Sequence, residues 1–165
     1  MAGETVLVVG GAGYIGSHTC LDLANKGYRP VVFDNFSNGH REFVRWGPAE
    51  EGDIRDRARL DEVLAKHKPA AILHFAALIE VGESVKDPVS FYENNVIGTL
   101  TLLSAAQAAG INAFVFSSTC ATYGLPQSVP LDETHRQVPI NPYGRTKYIV
   151  EQALADYDQY RSLRS

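Results

Sequence analysis

The stretch VLVVGGAGYIGSH, residues 6–18, constrains the fold more than any other part of this chain. Val6, Leu7, Val8 and Val9 form an apolar run with no polar face, the pattern of a strand buried on both sides of a sheet. Gly10, Gly11, Gly13 and Gly16 follow at once, and the pattern through Lys26 is helical. Strand, glycine turn and helix make the first part of a βαβ unit, which predicts a parallel sheet with helices on its faces. The same turn can be a tight corner or an anion cradle. Glycines permit the tight turn, the approach of backbone to a pyrophosphate, and close packing of helix on strand. The helix N-terminus adds free N–H groups and a partial positive charge. Two spellings fit: G-x-G-x-x-G at Gly11, Gly13 and Gly16, and G-x-x-G-x-x-G at Gly10, Gly13 and Gly16.

Asp34 bears on the choice. It ends a second apolar run, Val31-Val32-Phe33. An acidic side chain there can accept hydrogen bonds from an adenosine ribose and would repel a 2′-phosphate, which favours NAD over NADP. The plainer reading makes Asp34 a turn residue before Asn35.

Apolar runs alternate with helical patterns along the rest of the chain. Strands are expected near 5–9, 30–34, 48–51, 70–74 and 112–118, and helices near 14–26, 56–67, 89–109 and 142–160, with a short helical piece near 41–45. The expected fold is a doubly wound α/β parallel sheet of Rossmann type, strand order 3-2-1-4-5. The third strand is the least apolar, and Asp53 after it could sit by an adenine or cap the next helix. Residues 119–141 form a long connection of the kind that often carries function. At 165 residues the length suits one domain. A net charge of −4 without a basic run argues against nucleic acid and anionic membrane surfaces as partners. No stretch reaches membrane-span length and no secretory pattern opens the chain, so a cytoplasmic location is expected. Cys20 and Cys120 make no disulfide framework, and the five histidines are scattered, so no metal is expected. Cys20 reads as a small core residue.

The segment NPYGRTK, residues 141–147, opens the last helix and puts Tyr143 and Lys147 on one face. A phenol with a pKa near 10 is a poor base at neutral pH. A lysine cation one turn away, with an oxidised nicotinamide nearby, favours the phenolate. Upstream, FVFSSTCATYG places Ser117, Ser118 and Thr119 at the C-terminal end of the fifth strand, where open α/β sheets bind ligands. A hydroxyl there can bond the substrate oxygen whose proton the tyrosine removes. Ser117 and Ser118 could equally satisfy backbone groups.

Together with DNFSNGH, EGDIRD, LHFAALIEVGESV and NNVIGTL, these segments resemble the N-terminal half of the UDP-glucose 4-epimerase family of extended short-chain dehydrogenase/reductases. The resemblance implies NAD contacts at Gly10, Gly13, Tyr14, Ile15 and Gly16, at Asp34, Asn35, Phe36, Ser37, Asn38 and Gly39, and at Asp53 and Ile54. It adds Phe75, Ala76, Ala77, Leu78, Ile79 and Asn94, with Tyr143 and Lys147 also at the cofactor. Thr119, Tyr143 and Lys147 would be the catalytic set. Tyr143 would act as base at the 4-hydroxyl of a UDP-hexose while the C4 hydride passes to NAD and returns to the other face. Thr119 stands where many members have serine, and Ile79 where some bacterial members have lysine. Thr119-Cys120-Ala121 departs from the Thr-Asp-Glu of sugar-nucleotide dehydratases. A non-catalytic NAD-binding module and an epimerase for another UDP-sugar are the alternatives.

The resemblance makes residues 1–165 the NAD-binding Rossmann domain and places the sugar-nucleotide domain beyond Ser165. The fifth strand, NAFVFSS, is then expected to present an unpaired backbone edge. It also implies a homodimer in which the helices over 89–109 and 142–160 pair across a two-fold axis. Val96, Leu100 and Leu103, at i, i+4 and i+7, are expected to form one buried stripe for that contact.

Overall fold

The apolar run at residues 6–9 becomes the central strand of the sheet, buried on both faces. In the computed structural model, which describes residues 3–165, β1 (Thr5–Val9) pairs with β2 (Arg29–Asp34) on one side and β4 (Ala71–His74) on the other. Strand β3 (Ala49–Glu51) extends the sheet beyond β2, and β5 (Phe114–Phe116) extends it beyond β4. All pairings are parallel, as the alternating pattern predicts, and the order is the 3-2-1-4-5 expected of the Rossmann type. Met1 and Ala2, within the domain expected over 1–165, lie outside the described residues.

Among the described residues, six α-helices connect and cover the strands: α1 (Tyr14–Asn25), α2 (Arg57–His67), α3 (Val81–Lys86), α4 (Pro88–Phe91), α5 (Gly98–Ala108) and α6 (Pro142–Arg161). Alternate residues of β1 face opposite layers. Leu7 and Val9 join Phe33, Leu60, Leu64, Leu102, Leu103 and Val150 in the larger cluster. Val6 and Val8 join Ala12, Val32 and Cys20 in the smaller one. Cys20 is the core residue expected, its thiol pushed up to about 11 by burial. No helix among the described residues is long and apolar enough to cross a membrane.

Four points differ from expectation. The helix expected over 89–109 is α4, then a π-helical segment Tyr92–Ile97, then α5. Helix α3 was not expected: it has six residues, too few to display a period, and Asp87 then restarts the chain by capping α4 through Ser90 N. Nor do Val96, Leu100 and Leu103 share one stripe. Val96 lies half-buried in the π segment, and Leu100 and Leu103 follow it in α5, where Leu103 faces the core and is fully buried while Leu100 sits at the margin of that face and is 38 % exposed. The edge of β5 is partly covered as well. Phe114 N donates to Arg164 O (2.9 Å), Arg164 N donates to Asn112 O (2.8 Å), and Leu163 enters the core, although Val115 stays exposed.

Strand β3 reads as poorly apolar because its one inward residue is Glu50. The buried carboxylate accepts from Arg59 (2.6 Å) and Lys66 (2.7 Å) and lies 2.6 Å from His67 Nε2. These partners, His67 foremost, hold it at about 2 against the opposing effect of burial. Its folded value lies below its ordinary one, so its stabilisation is complete above about pH 4.5 and is lost as pH falls toward 2. Glu50→Gln is expected to cost about 2–3 kcal/mol at pH 7. Denaturant titrations at pH 7 and pH 3 check this: the gap should narrow at pH 3, and equal stability at pH 7 would show the cluster to be inconsequential.

Candidate active site

Parallel strands all end at the same edge of the sheet, so the segments singled out from sequence are gathered there by topology. The glycine turn leaves β1. Gly10 has φ of 80°, and a Cβ on it would lie 2.5 Å from Ala76 N. A Cβ on Gly11 would meet a Val32 methyl at 2.9 Å, and one on Gly16 would lie 2.2 Å from Gly10 O. These three glycines serve packing. Gly13 differs: its nearest neighbour would be Gly10 O at 3.4 Å, with open space otherwise. Gly13 is also the N-cap of α1, with no side chain capping the helix and no acidic residue in the first turn. Tyr14 and Ile15, exposed in that turn, carry N–H groups with no intrahelical acceptor. An uncapped helix start behind a glycine with nothing over it fits a phosphate.

Asp34 closes β2 and is nearly buried, with Oδ2 accepting from Ala12 N (3.0 Å) and Oδ1 from Phe36 N (2.9 Å). The bond to Phe36 is the turn-forming role of the plainer reading. The bond to Ala12 also braces the glycine turn, and each oxygen keeps a second lone pair. Phe36 is left-handed with Arg41 4.1 Å over its ring. Asn35 accepts from Ser37 and donates to Asp53 (3.3 Å), while Asn38 is exposed. Gly39 lies so close to Asp34 that a Cβ would meet Oδ1 at 2.9 Å. Asp53 does not cap α2; Asp56 does, through Arg59 N (3.0 Å). Asp53 instead pairs with Arg55 (2.7 Å), which holds its carboxyl down to about 2. The Ile54 side chain is buried against Gly98.

After β4, Phe75 and Ala76 donate to Val9 O at 2.7 and 3.1 Å; Ala77 and Leu78 are half-buried and Ile79 is exposed. Leu78 is held on both sides by Asn95, whose Oδ1 accepts its N–H (2.8 Å) and whose Nδ2 donates to its carbonyl (2.9 Å). Asn95 also donates to Thr146 Oγ1 (3.2 Å), while Asn94 stands one bond back, donating to Asn95 Oδ1 (2.9 Å). Sequence reading named Asn94 and passed over Asn95; the Asn-Asn doublet was the available signal. His74 was missed as well. Thr99 donates to Asn95 O (2.6 Å), so His74 Nε2–H donates to Thr99 Oγ1 (2.9 Å). Burial, and then the charge of Lys147, push His74 down to about 3, which keeps the ring neutral.

Lys147 is buried in α6 and donates to Ser117 O (2.8 Å), with Nζ 4.5 Å from the centre of the Phe116 ring. Burial pushes it down to about 8, with the Glu151 carboxylate acting against that. Tyr143 lies one turn earlier on the same face, half-buried in the first turn of α6. Asn141 caps that turn by accepting from Gly144 N (2.8 Å), with Pro142 at the first helical position. Thr119 begins a short 3₁₀ turn, Cys120–Thr122, and accepts from Ala121 N (3.2 Å). That turn docks on α6 beside Tyr143, because a Cβ at Gly144 would lie 2.6 Å from Ala121 O. Of the two serines, Ser117 offers its carbonyl to Lys147 and Ser118 bonds Glu151.

The profile of the NAD dependent epimerase/dehydratase family matches residues 6–164. A curated UDP-glucose 4-epimerase of Rhizobium leguminosarum bv. trifolii is 99 % identical over 165 residues, covering 100 % of this chain and 50 % of that protein. The crystal structure of UDP-glucose 4-epimerase from Brucella ovis in complex with NAD superposes with a TM-score of 0.96 at 56 % identity, over 98 % of this chain and 50 % of that one. An epimerase of Stenotrophomonas maltophila with bound NAD and formylated UDP-arabinopyranose superposes with a TM-score of 0.90 at 42 % identity, over 93 % of this chain and 48 % of that one. The chain spans about half the length of the curated relatives it matches.

Proposed function

Because the chain belongs to the NAD dependent epimerase/dehydratase family, we propose that it carries the cofactor and catalytic half of a UDP-hexose 4-epimerase interconverting UDP-glucose and UDP-galactose. The observation that carries this reading is the buried Lys147 cation, held on the face of Tyr143 beside the turn that begins at Thr119. A pure binding module needs the glycine turn and Asp34 but gains nothing from burying that charge.

The open ground at Gly13 and the start of α1 would take the pyrophosphate of NAD, and the spare lone pairs of Asp34 its adenosine ribose. Asn35 to Gly39, Asp53, Phe75 to Ile79 and Asn94 border the same edge. When bound, NAD supplies a hydride acceptor and donor at the sugar C4. Tyr143 takes the proton of the 4-hydroxyl and returns it. Lys147 places a positive charge near that oxygen, and the Thr119 hydroxyl bonds the sugar oxygen to hold it in line. The exposed Val89, Ile97, Leu100 and Ile149 on the outer face of α4 to α6 support a homodimer through these helices, which equilibrium sedimentation checks.

The test is conversion of UDP-galactose to UDP-glucose by the native polypeptide, read beside calorimetric NAD and NADP binding. Conversion is expected without added reductant, with NAD bound more tightly than NADP. Asp34→Ala should cost about 1.5–3 kcal/mol of NAD affinity, the worth of bonds to a charged acceptor. Binding of NAD without any conversion would favour the module; tighter binding of NADP would overturn the cofactor reading.

A further inference from the structure

Glu151 touches no reacting group, and although its charge favours the Lys147 cation, its hydrogen bonds lead elsewhere; it sits one turn beyond Lys147 on the face that carries Tyr143. Its two oxygens are taken by two distant stretches of chain. Ser118 Oγ donates to Oε1, and Gln137 Nε2 donates to Oε2 at 2.6 Å. Gln137 Nε2 also reaches Thr122 Oγ1 at 3.1 Å, and the Thr122 hydroxyl donates to Thr119 O at 2.9 Å. Thr119 is therefore flanked on both sides by groups that end on one carboxylate. Ser118 precedes it, and Thr122 closes the short turn that it begins. The far arm of the 119–141 connection is tied down at the same point through Gln137.

Resting on the epimerase reading, we propose that Glu151 is a positioning residue that holds the Thr119 turn against α6, and so fixes the Thr119 hydroxyl relative to Tyr143. The geometry separates its role from that of Lys147. Lys147 grips the strand end through Ser117 O and needs no help from Glu151 to do so. Among the described residues the turn makes no hydrogen bond of its own to α6; where Ala121 O approaches Gly144 the contact is packing without a bond. Without the carboxylate, the bonds within the turn survive but the turn loses its tether to the helix. A shift of about 1 Å in a group that orients substrate can cost about 10²-fold in rate.

Glu151→Gln is the sharpest variant. It keeps the size and one acceptor for Ser118, but sets an amide N–H₂ against the Gln137 amide. Gln137→Leu cuts the other arm and guards against a folding defect in the first. In the native polypeptide, Glu151→Gln should lower kcat about 10–100-fold while KM for UDP-galactose and NAD affinity stay within about twofold. Gln137→Leu should act in the same direction, and the double variant should be no worse than Glu151→Gln alone. Hydrogen exchange at the amides of Ala121 and Thr122 should quicken in both. An unchanged kcat, a loss carried in KM, or unchanged exchange over residues 120–122 would overturn the proposal. If the unmodified polypeptide shows no epimerisation, the functional reading fails, while exchange alone still decides whether Glu151 holds the turn.

Discussion

Tyr143→Phe is expected to lower epimerisation of UDP-galactose by about 10²–10⁴-fold, the usual contribution of a positioned general base, with the fold left intact. The hydroxyl has no hydrogen-bond partner among the described residues, so deleting it breaks no structural contact. The start of α6 is fixed by other groups: Pro142, the Asn141 cap on Gly144 N, and the Thr146 hydroxyl donating to the Tyr143 carbonyl at 2.7 Å. On the proposed mechanism, what the variant lacks is a place to put the proton of the sugar 4-hydroxyl. The state of Lys147 is the reason to expect a large loss. Burial pushes this ammonium down to about 8, so at neutral pH the folded protein carries a poorly hydrated cation whose direct bond is to a backbone carbonyl. Folding alone would favour an apolar residue there. A charge kept at such a cost fits the proposed chemistry, in which a neighbouring oxygen gains negative charge. Steady-state assays beside thermal melts check the result. Near-normal turnover by the Phe variant, verified by mass, would remove Tyr143 from the mechanism.

The fold was legible where one physical signal dominated. An apolar run without a polar face, followed at once by a glycine turn, read as an inner strand, and β1 is central; alternation implied a parallel sheet, and the Rossmann type the order 3-2-1-4-5. The start of α6 near residue 142 was legible from the sequence, and the structure shows it set by the Asn141 cap and Pro142. Legibility ended where the outcome depends on partners distant in sequence. Glu50 makes β3 look unlike a strand until Arg59, Lys66 and His67 from α2 surround it. The π segment differs from an α-helix by one residue per turn, below what apolar spacing resolves, yet it carries Asn95, whose side chain holds Leu78. Asp34 was legible as a turn former or a ligand acceptor, and its bond to Ala12 shows a third duty that no local pattern carries. Composition marks residues 119–141 as a connection, but says nothing of Gln137 reaching Glu151.

The glycine turn gives the sharpest separation between structural corner and phosphate cradle, because its glycines fail differently when enlarged. Gly16→Val is expected to cost more than about 3 kcal/mol of stability and to abolish NAD binding. Its Cβ would lie 2.2 Å from Gly10 O and 2.7 Å from Gly11 Cα, both backbone, so α1 would have to lift off the turn. Gly13→Val should behave otherwise. Gly13 has φ of −81° and ψ of 178°, an extended conformation open to any residue, and its Cβ would have one neighbour, at 3.4 Å. Losing glycine at an N-cap costs about 1 kcal/mol, so the fold should survive. The added side chain would instead fill the ground where backbone and pyrophosphate must meet, and NAD affinity should fall at least about tenfold, or 1.4 kcal/mol. Chemical denaturation and calorimetry on both variants decide the matter. If Gly13→Val binds NAD normally, the phosphate does not lie there. If it unfolds like Gly16→Val, the turn is a corner first, and the open space at Gly13 is of no consequence for the ligand.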